Sequence, residues 1–361
     1  MLYRLHKWKK LILQAKWDVT SIPIYEATAR GRKVILFKTL LSNICINECL
    51  YCALRKGRNI DRISWDPIKL ARITLELYNK RYIDGLFLSS GVSSDPDIVA
   101  ERQIMVCEIL RRKGFKGYIH LRLMPGVSKH LIKYASELAD RIGINIEAPR
   151  KDIFDKITLS KADYKNDIIE KLKYMSYVYM KFKDDRKYAS SGFLKGGIVT
   201  QVIVGLGGDK DIDHIKTMYS LYRLPGMKRV YLSAFYPVNK TPLQDIRPCP
   251  KWRELRLYQV SYLIRDYGFT LEELSQILDE NGMLRNIDPK IAYAMVRRDL
   301  YPININEANY KQLLRIPGIG PQTALKIIEV RERKGRIELD DLIRILGSKG
   351  KFKTVMKYIC L

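Results

Sequence analysis

Between residues 34 and 237, six short apolar runs alternate with amphipathic stretches, and this alternation does most to narrow the fold. The runs are residues 34–41, 85–89, 117–123, 141–147, 199–205 and 229–235. They are apolar and partly β-branched along their length, as strands covered on both faces are. The stretches between them, for example 67–81, 98–113 and 212–222, read as helices. Strand–helix alternation at this spacing predicts a parallel sheet with right-handed crossovers. The expected fold class is α/β: a partial (β/α)6 barrel, then an all-α C-terminal region. In such barrels functional groups collect at the C-terminal ends of the strands. Residues 181–197 are polar and Gly-rich and read as a mobile loop, and the turn at 247–250 ends the barrel region.

Directly behind the first run comes Cys45-Ile-Asn-Glu-Cys49-Leu-Tyr-Cys52, a C-x3-C-x2-C spacing. Three thiolates held on one loop suit a cubane [4Fe-4S] cluster. Three ligands leave one iron open to the amino and carboxylate groups of S-adenosyl-L-methionine (SAM). Reductive cleavage of its sulfonium would then release a 5′-deoxyadenosyl radical, so the cofactor carries the difficult chemistry. A zinc site would ask for a fourth ligand, usually from a second pair. Cys107, Cys249 and Cys360 are scattered, and so are His6, His120, His130 and His214. Cys107 reads as core. Cys249, between prolines, is a remote candidate for a hydrogen-atom donor.

Other strand ends fit the same site. The second run ends in Ser89-Ser90-Gly91, whose backbone could hold the SAM amino group. Asn145 and Glu147 end the fourth run and could reach the ribose or the methionine moiety. Gly205, followed by Gly207 and Gly208, would allow close approach of the adenine. Tyr51, beside the cysteines, is expected to offer its backbone to the same ring.

The C-terminal segment has a different signature. Asn304–Asn309 precedes a helical run at 310–316, then Pro317-Gly318-Ile319-Gly320-Pro321, then a second helix from Gln322. This is a helix-hairpin-helix pattern. Its glycines permit a tight turn, and the free N–H groups opening the second helix can cradle a phosphate. The expected contacts are Lys311, Pro317, Gly318, Ile319, Gly320, Gln322, Thr323 and Lys326. Arg315-Ile-Pro-Gly318 recurs as Arg344-Ile-Leu-Gly347, 29 residues on, in a degenerate and basic second hairpin. Lys plus Arg number 65 against 39 Asp plus Glu, a formal charge of +26. So large an excess suits a polyanionic partner, although a Lys-rich solvated surface would also give it. Six cysteines make no disulfide framework. Residues 1–10 lack the apolar core of a secretion signal, and no run of about 18 apolar residues occurs, so a cytoplasmic protein with no membrane partner is expected.

With these motifs the chain resembles the helix-hairpin-helix radical SAM proteins, described as DNA modification or repair proteins associated with uracil-DNA glycosylase. The likeness runs through Ala15-Lys-Trp-Asp18, Lys38-Thr-Leu-Leu-Ser-Asn43, the segment 82–91, Gly117-Tyr-Ile-His-Leu121 and the hairpin tail. The strand end departs from the usual Gly-Gly-Glu of radical SAM enzymes in carrying Ser89-Ser90-Gly91. The resemblance implies a radical enzyme acting on nucleic acid, with DNA favoured and RNA the alternative. It implies an electron donor such as a flavodoxin or ferredoxin. The expected organisation is an N-terminal extension (1–30), the barrel (31–245), a helical connector (246–302) and the hairpin domain (303–361). Two rivals stay open: a tRNA or rRNA modification enzyme, and a non-catalytic DNA-binding protein with a structural or redox-sensing cluster.

Overall fold

The structure, a computed structural model, describes residues 24–29, 32–159, 162–185 and 193–361. The motif at Ala15–Asp18 and most of the N-terminal extension therefore lie outside the described residues. The chain divides into two compact units, residues 1–206 with 223–248, and residues 207–222 with 249–361.

The first unit is built on a seven-stranded sheet in which the strands lie in chain order. β1 (Ile24–Ala29) runs antiparallel to β2 (Arg32–Leu40). From β2 onward each neighbour is parallel, through β3 (Gly85–Ser89), β4 (Tyr118–Arg122), β5 (Arg141–Gly143), β6 (Gly197–Val204) and β7 (Met227–Ala234). These are the six parallel strands of the expected half-barrel. β1 was not anticipated, because its mixed polar sequence lacks the apolar run that marks the others. β5 stops at Gly143 rather than Glu147, since a side chain enters the ladder beyond it. Thr200 Oγ1 donates to Ile144 O at 2.6 Å and accepts from Ile146 N at 3.1 Å.

The crossover helices start where the sequence places caps. Asp66 accepts from Lys69 N at 2.8 Å and Pro67 opens α1 (Pro67–Asn79). Asp95 and Pro96 do the same for α2 (Pro96–Arg112). A side-chain acceptor ahead of a proline satisfies orphan N–H groups where the ring costs nothing. α3 (Lys129–Leu138), α4 (Lys151–Ile157) and α5 (Glu170–Phe182) follow, the last entered through a π-helical turn at Tyr164–Ile169. The loop expected at 181–197 is narrower: Lys181 and Phe182 complete α5 and Gly197 opens β6, while residues 186–192 lie outside the described set. One sheet face is sealed, with Leu86, Leu88, Ile119, Leu121, Ile198 and Val230 fully buried. On the other, Phe87, Ser89, Tyr118, Gln201 and Tyr231 are half-buried.

The second unit is helical, as expected. It contains α6 (Asp211–Tyr222), α7 (Lys251–Asp266), α8 (Leu271–Ser275), α9 (Pro289–Val296), α10 (Tyr310–Arg315), α11 (Pro321–Lys334), α12 (Leu339–Leu346) and α13 (Lys349–Val355). A two-residue strand at each end of the tail, β8 (Ile303–Asn304) and β9 (Ile359–Cys360), pairs in parallel, an addition to the purely helical tail expected. Ile305, Leu313, Leu314, Ile327, Leu342 and Val355 form one core shared by both hairpins. Among the described residues no helix is long and apolar enough to cross a membrane.

Candidate functional site

The cysteine loop leaves β2 at its C-terminal end and is strapped from several directions. Asn43 is buried; its side chain donates to Asp61 O and accepts from Ile63 N, both at 2.7 Å. Arg62 donates to the carbonyls of Asn43, Leu54 and Arg55 at 2.7 to 2.8 Å. Arg58 reaches Ala53 O and Asn239 O. Lys56 N donates to Asn47 O, and Leu50 N to Ile157 O. Such satisfied backbone groups hold a loop that has no regular structure of its own.

Cys45, Cys49 and Cys52 are free thiols on this loop. Cys49 is 6% exposed, and Cys45 packs against Val92, Val99 and Met124. Leu54 N donates to Cys52 Sγ at 3.4 Å, the type of contact that steadies a thiolate or cluster sulfur. Among the described residues no three His, Cys, Asp or Glu side chains converge as ligands of one metal ion. The donor set, three thiols from eight residues of one strapped loop, is chemically that of a cubane cluster. Cys107 sits in α2 with its thiol pushed up to about 12 by burial, Cys249 is buried in the second unit, and Cys360 is exposed.

The end of β3 docks directly on this loop. Gly91 N donates to Ser42 O at 2.7 Å, and Ile46 N to Val92 O at 2.8 Å. A Cβ at Gly91 would stand 2.4 Å from Ile44 O, so only glycine fits. The sequence suggests that this backbone holds a ligand group; the structure shows that the group nearest to Gly91 is the cysteine loop itself. Ser90 is buried, its hydroxyl donating to Gly91 O at 2.7 Å, while Ser89 O accepts from Leu41 N. Opposite, Glu147 is 7% exposed and held at φ +61°, a left-handed backbone that a non-glycine residue rarely adopts. Tyr51 hydrogen-bonds the Glu147 carboxylate. Burial, then Glu147, Cys49 and Cys52, push the phenol well above its ordinary range, so Tyr51 stays protonated and donates. Its side chain thus links the cysteine loop to the β5 end. Asn145 accepts from Arg122 at 2.9 Å, and Gly205 follows β6 at φ +88°. Arg122 and His120 carry no local sequence signal and were not anticipated.

In the tail, Asn309 caps α10 in a reciprocal box with Gln312, at 3.0 and 2.8 Å. The turn at 316–320 then leads to Pro321 at the start of α11. Gly318 is exposed at φ +87° and Gly320 has an ordinary extended φ of −108°. Lys311, Gln322 and Lys326 are exposed, whereas Pro317, Ile319 and Thr323 are buried. Ile319 is a core residue, and Thr323 Oγ1 accepts from Lys351 Nζ at 3.0 Å. Arg315 is a clamp: it donates to both Glu273 carboxylate oxygens at 2.8 and 2.9 Å and stacks 4.1 Å from the Phe269 ring centroid.

Residues 301–347 match the helix-hairpin-helix motif. No curated protein sequence matches the chain. Among solved structures, the chain is similar to the FeFe-hydrogenase maturase HydG from Carboxydothermus hydrogenoformans, with 13% identity, a TM-score of 0.48, and coverage of 87% of this chain and 75% of that one. It is similar to methylornithine synthase (PylB), with 17% identity, a TM-score of 0.47, and coverage of 65% and 64%. It is also similar to the radical S-adenosylmethionine methyltransferase TsrM from Kitasatospora setae, solved with cobalamin and a [4Fe-4S] cluster, with 11% identity, a TM-score of 0.42, and coverage of 57% and 38%.

Proposed function

We propose that this chain is a radical SAM enzyme that modifies or repairs nucleic acid, DNA before RNA. The observation that carries the reading is the strapped three-cysteine loop at the C-terminal end of β2, linked to the β5 end through Tyr51 and Glu147. Cys45, Cys49 and Cys52 would hold a [4Fe-4S] cluster. When bound, the cluster and SAM supply a one-electron cleavage that yields a 5′-deoxyadenosyl radical. The chain's own part is to bind, orient and exclude water. The Ser89–Gly91 backbone would take the methionine amino group. Glu147, accepting from the Tyr51 hydroxyl, would also accept from a hydroxyl donor such as a ribose. The exposed Gly318 turn, the start of α11, Lys311 and Lys326 would grip phosphates without reading sequence. An electron donor such as a flavodoxin or ferredoxin completes the requirement, and the resemblance adds a link to uracil-DNA glycosylase.

The test is anaerobic reconstitution with iron and sulfide, followed by reduction in the presence of SAM. One cubane cluster per chain and release of 5′-deoxyadenosine are expected, with both lost in Cys45→Ala, Cys49→Ala or Cys52→Ala and both kept in Cys107→Ala. Stoichiometric zinc without iron would overturn the reading. Nucleoside mass spectrometry after incubation with genomic DNA or total RNA identifies the substrate polymer.

A further inference from the structure

The second unit holds a cleft to which the hairpin turn gives no task. Its walls are Ala294 and Met295 from the last turn of α9, Arg298 from the short turn that follows, Tyr301 ahead of β8, and Lys357 and Tyr358 ahead of β9. The pairing of β8 with β9 brings these segments together. Ile303 N donates to Tyr358 O at 2.9 Å, which lays the two approaches side by side. The cleft has a volume of about 280 Å³. Small-molecule pockets begin at roughly 300 Å³, so there is room for one flat ring and its sugar and too little for a folded element.

The lining combines aromatic rings with cations. Tyr301 and Tyr358 are half-buried and meet edge to face, with ring centroids 5.5 Å apart and planes at 69°. Tyr301 is fixed in place: its hydroxyl donates to Arg315 O at 2.8 Å, and Arg315 is itself clamped on Glu273. Met295 is exposed beside them, a polarisable apolar side chain left facing water in a strongly charged protein. Arg298 and Lys357 are exposed at the same cleft, and among the described residues no carboxylate lines it. Asp299, the acid next in sequence, is held by Arg297 through both oxygens, at 2.8 and 3.0 Å. Rings on which a base can stack and cations for its phosphate are what a single-strand site is made of. A purely apolar guest would leave both cations idle, and a small acid would leave the rings idle.

We propose that this cleft takes one unpaired nucleotide of the nucleic acid that the tail holds, its base against Tyr301, Tyr358 and Met295 and its phosphate at Arg298 and Lys357. The inference rests on the reading that the tail binds nucleic acid, and it adds a preference for strands with an unpaired base. In a fully paired duplex each base is stacked between neighbours and has to leave the stack before a protein cleft can take it. Tyr358 packs on the core that both hairpins share, so the phosphate grip and the base cleft keep a fixed relation.

The experiment is NMR of the full-length protein isotopically labelled in its methionine methyl groups, with the Met295 signal assigned by its loss in Met295→Leu. A single-stranded deoxyadenosine decamer should move Met295 upfield through the ring current of a stacked base, while Met105, exposed on α2 of the first unit, stays still. A fully paired duplex should bind without moving Met295, and the same duplex with one bulged adenosine should move it. Deoxyadenosine 5′-monophosphate should give the same shift at higher concentration, and inorganic phosphate none. Met295 unmoved by decamer, bulged duplex and mononucleotide alike overturns the proposal and leaves the cleft to a protein partner. An equal shift with the paired duplex overturns it too. Tyr358→Ala should weaken decamer binding about tenfold in fluorescence anisotropy, and Tyr358→Phe should not. Arg298→Gln with Lys357→Gln should weaken it by a similar factor. Anisotropy with the paired duplex decides the tail reading separately. A bound duplex with Met295 still under every ligand sinks the cleft alone, and a mononucleotide shift without duplex binding sinks the tail reading alone.

Discussion

Lys290 shows how much a single buried charge can set. It opens α9, is 8% exposed, donates to Ile319 O in the hairpin turn at 2.5 Å, and faces the Tyr267 ring at 4.8 Å. Burial, with Arg315 and Lys351 nearby and Asp288 opposing, lowers its pKa to about 7. In the unfolded chain a lysine titrates near 10.4. Between those values the unfolded chain holds a proton that the folded chain has released, so stability rises with pH from about 7 to about 10. It is lowest below 7, where both states are charged. The slope reaches at most about 1.4 kcal/mol per pH unit. Urea unfolding from pH 6 to 9 should show this rise in the wild type and lose it in Lys290→Met; parallel curves would refute the assignment. Lys290, His120 and Arg122 were illegible in the sequence because their roles depend on partners far along the chain. Cys45, Cys49 and Cys52 were legible because ligation of a cluster imposes a local spacing.

At the scale of elements, the segment that follows β3 packs closely on the cysteine loop. Gly91→Ala would place a methyl against Ile44 O at 2.4 Å, and a backbone atom cannot swing aside as a side chain would. We expect this variant to lose iron and SAM binding together, because the loop holding the thiols must move. Iron and sulfide analysis beside a SAM-binding assay checks it; SAM binding lost with iron intact would mean that Gly91 serves the ligand alone. The sequence placed all six parallel strands, since strands covered on both faces read as near-unbroken apolar runs. It overran β5 because nothing local announces that Thr200 will bond the β5 backbone. It missed β8 and β9, which are two residues each and owe their pairing to the folded tail. The hairpin was legible from its glycines, but which positions face solvent was not. Ile319 and Thr323 turn inward because α10 to α13 share one core.

For the whole molecule, the charge of +26 points to a polyanion but does not say where it binds. Lys311 and Lys326 are exposed on the two helices flanking the turn, away from that core. Lys311→Glu with Lys326→Glu should weaken DNA binding alike for unrelated sequences. The plot of log affinity against log salt should flatten by about 0.9 for each phosphate that the variant no longer neutralises. Unchanged affinity and slope in fluorescence anisotropy would remove the tail from the interface. The way the chain is shared between its units has a further consequence. α6 lies between β6 and β7 in sequence, yet it belongs with residues 249–361. Its Asp211 is fully buried, bonded to Arg253 at 2.7 Å and to Leu284 N at 2.8 Å. During synthesis α6 leaves the ribosome well before Arg253 and Leu284 exist. Until they arrive, Ile215, Met218 and Leu221 have no finished core to enter, and the nascent chain carries a greasy helix in waiting. A gene cut short after the barrel would leave that helix orphaned.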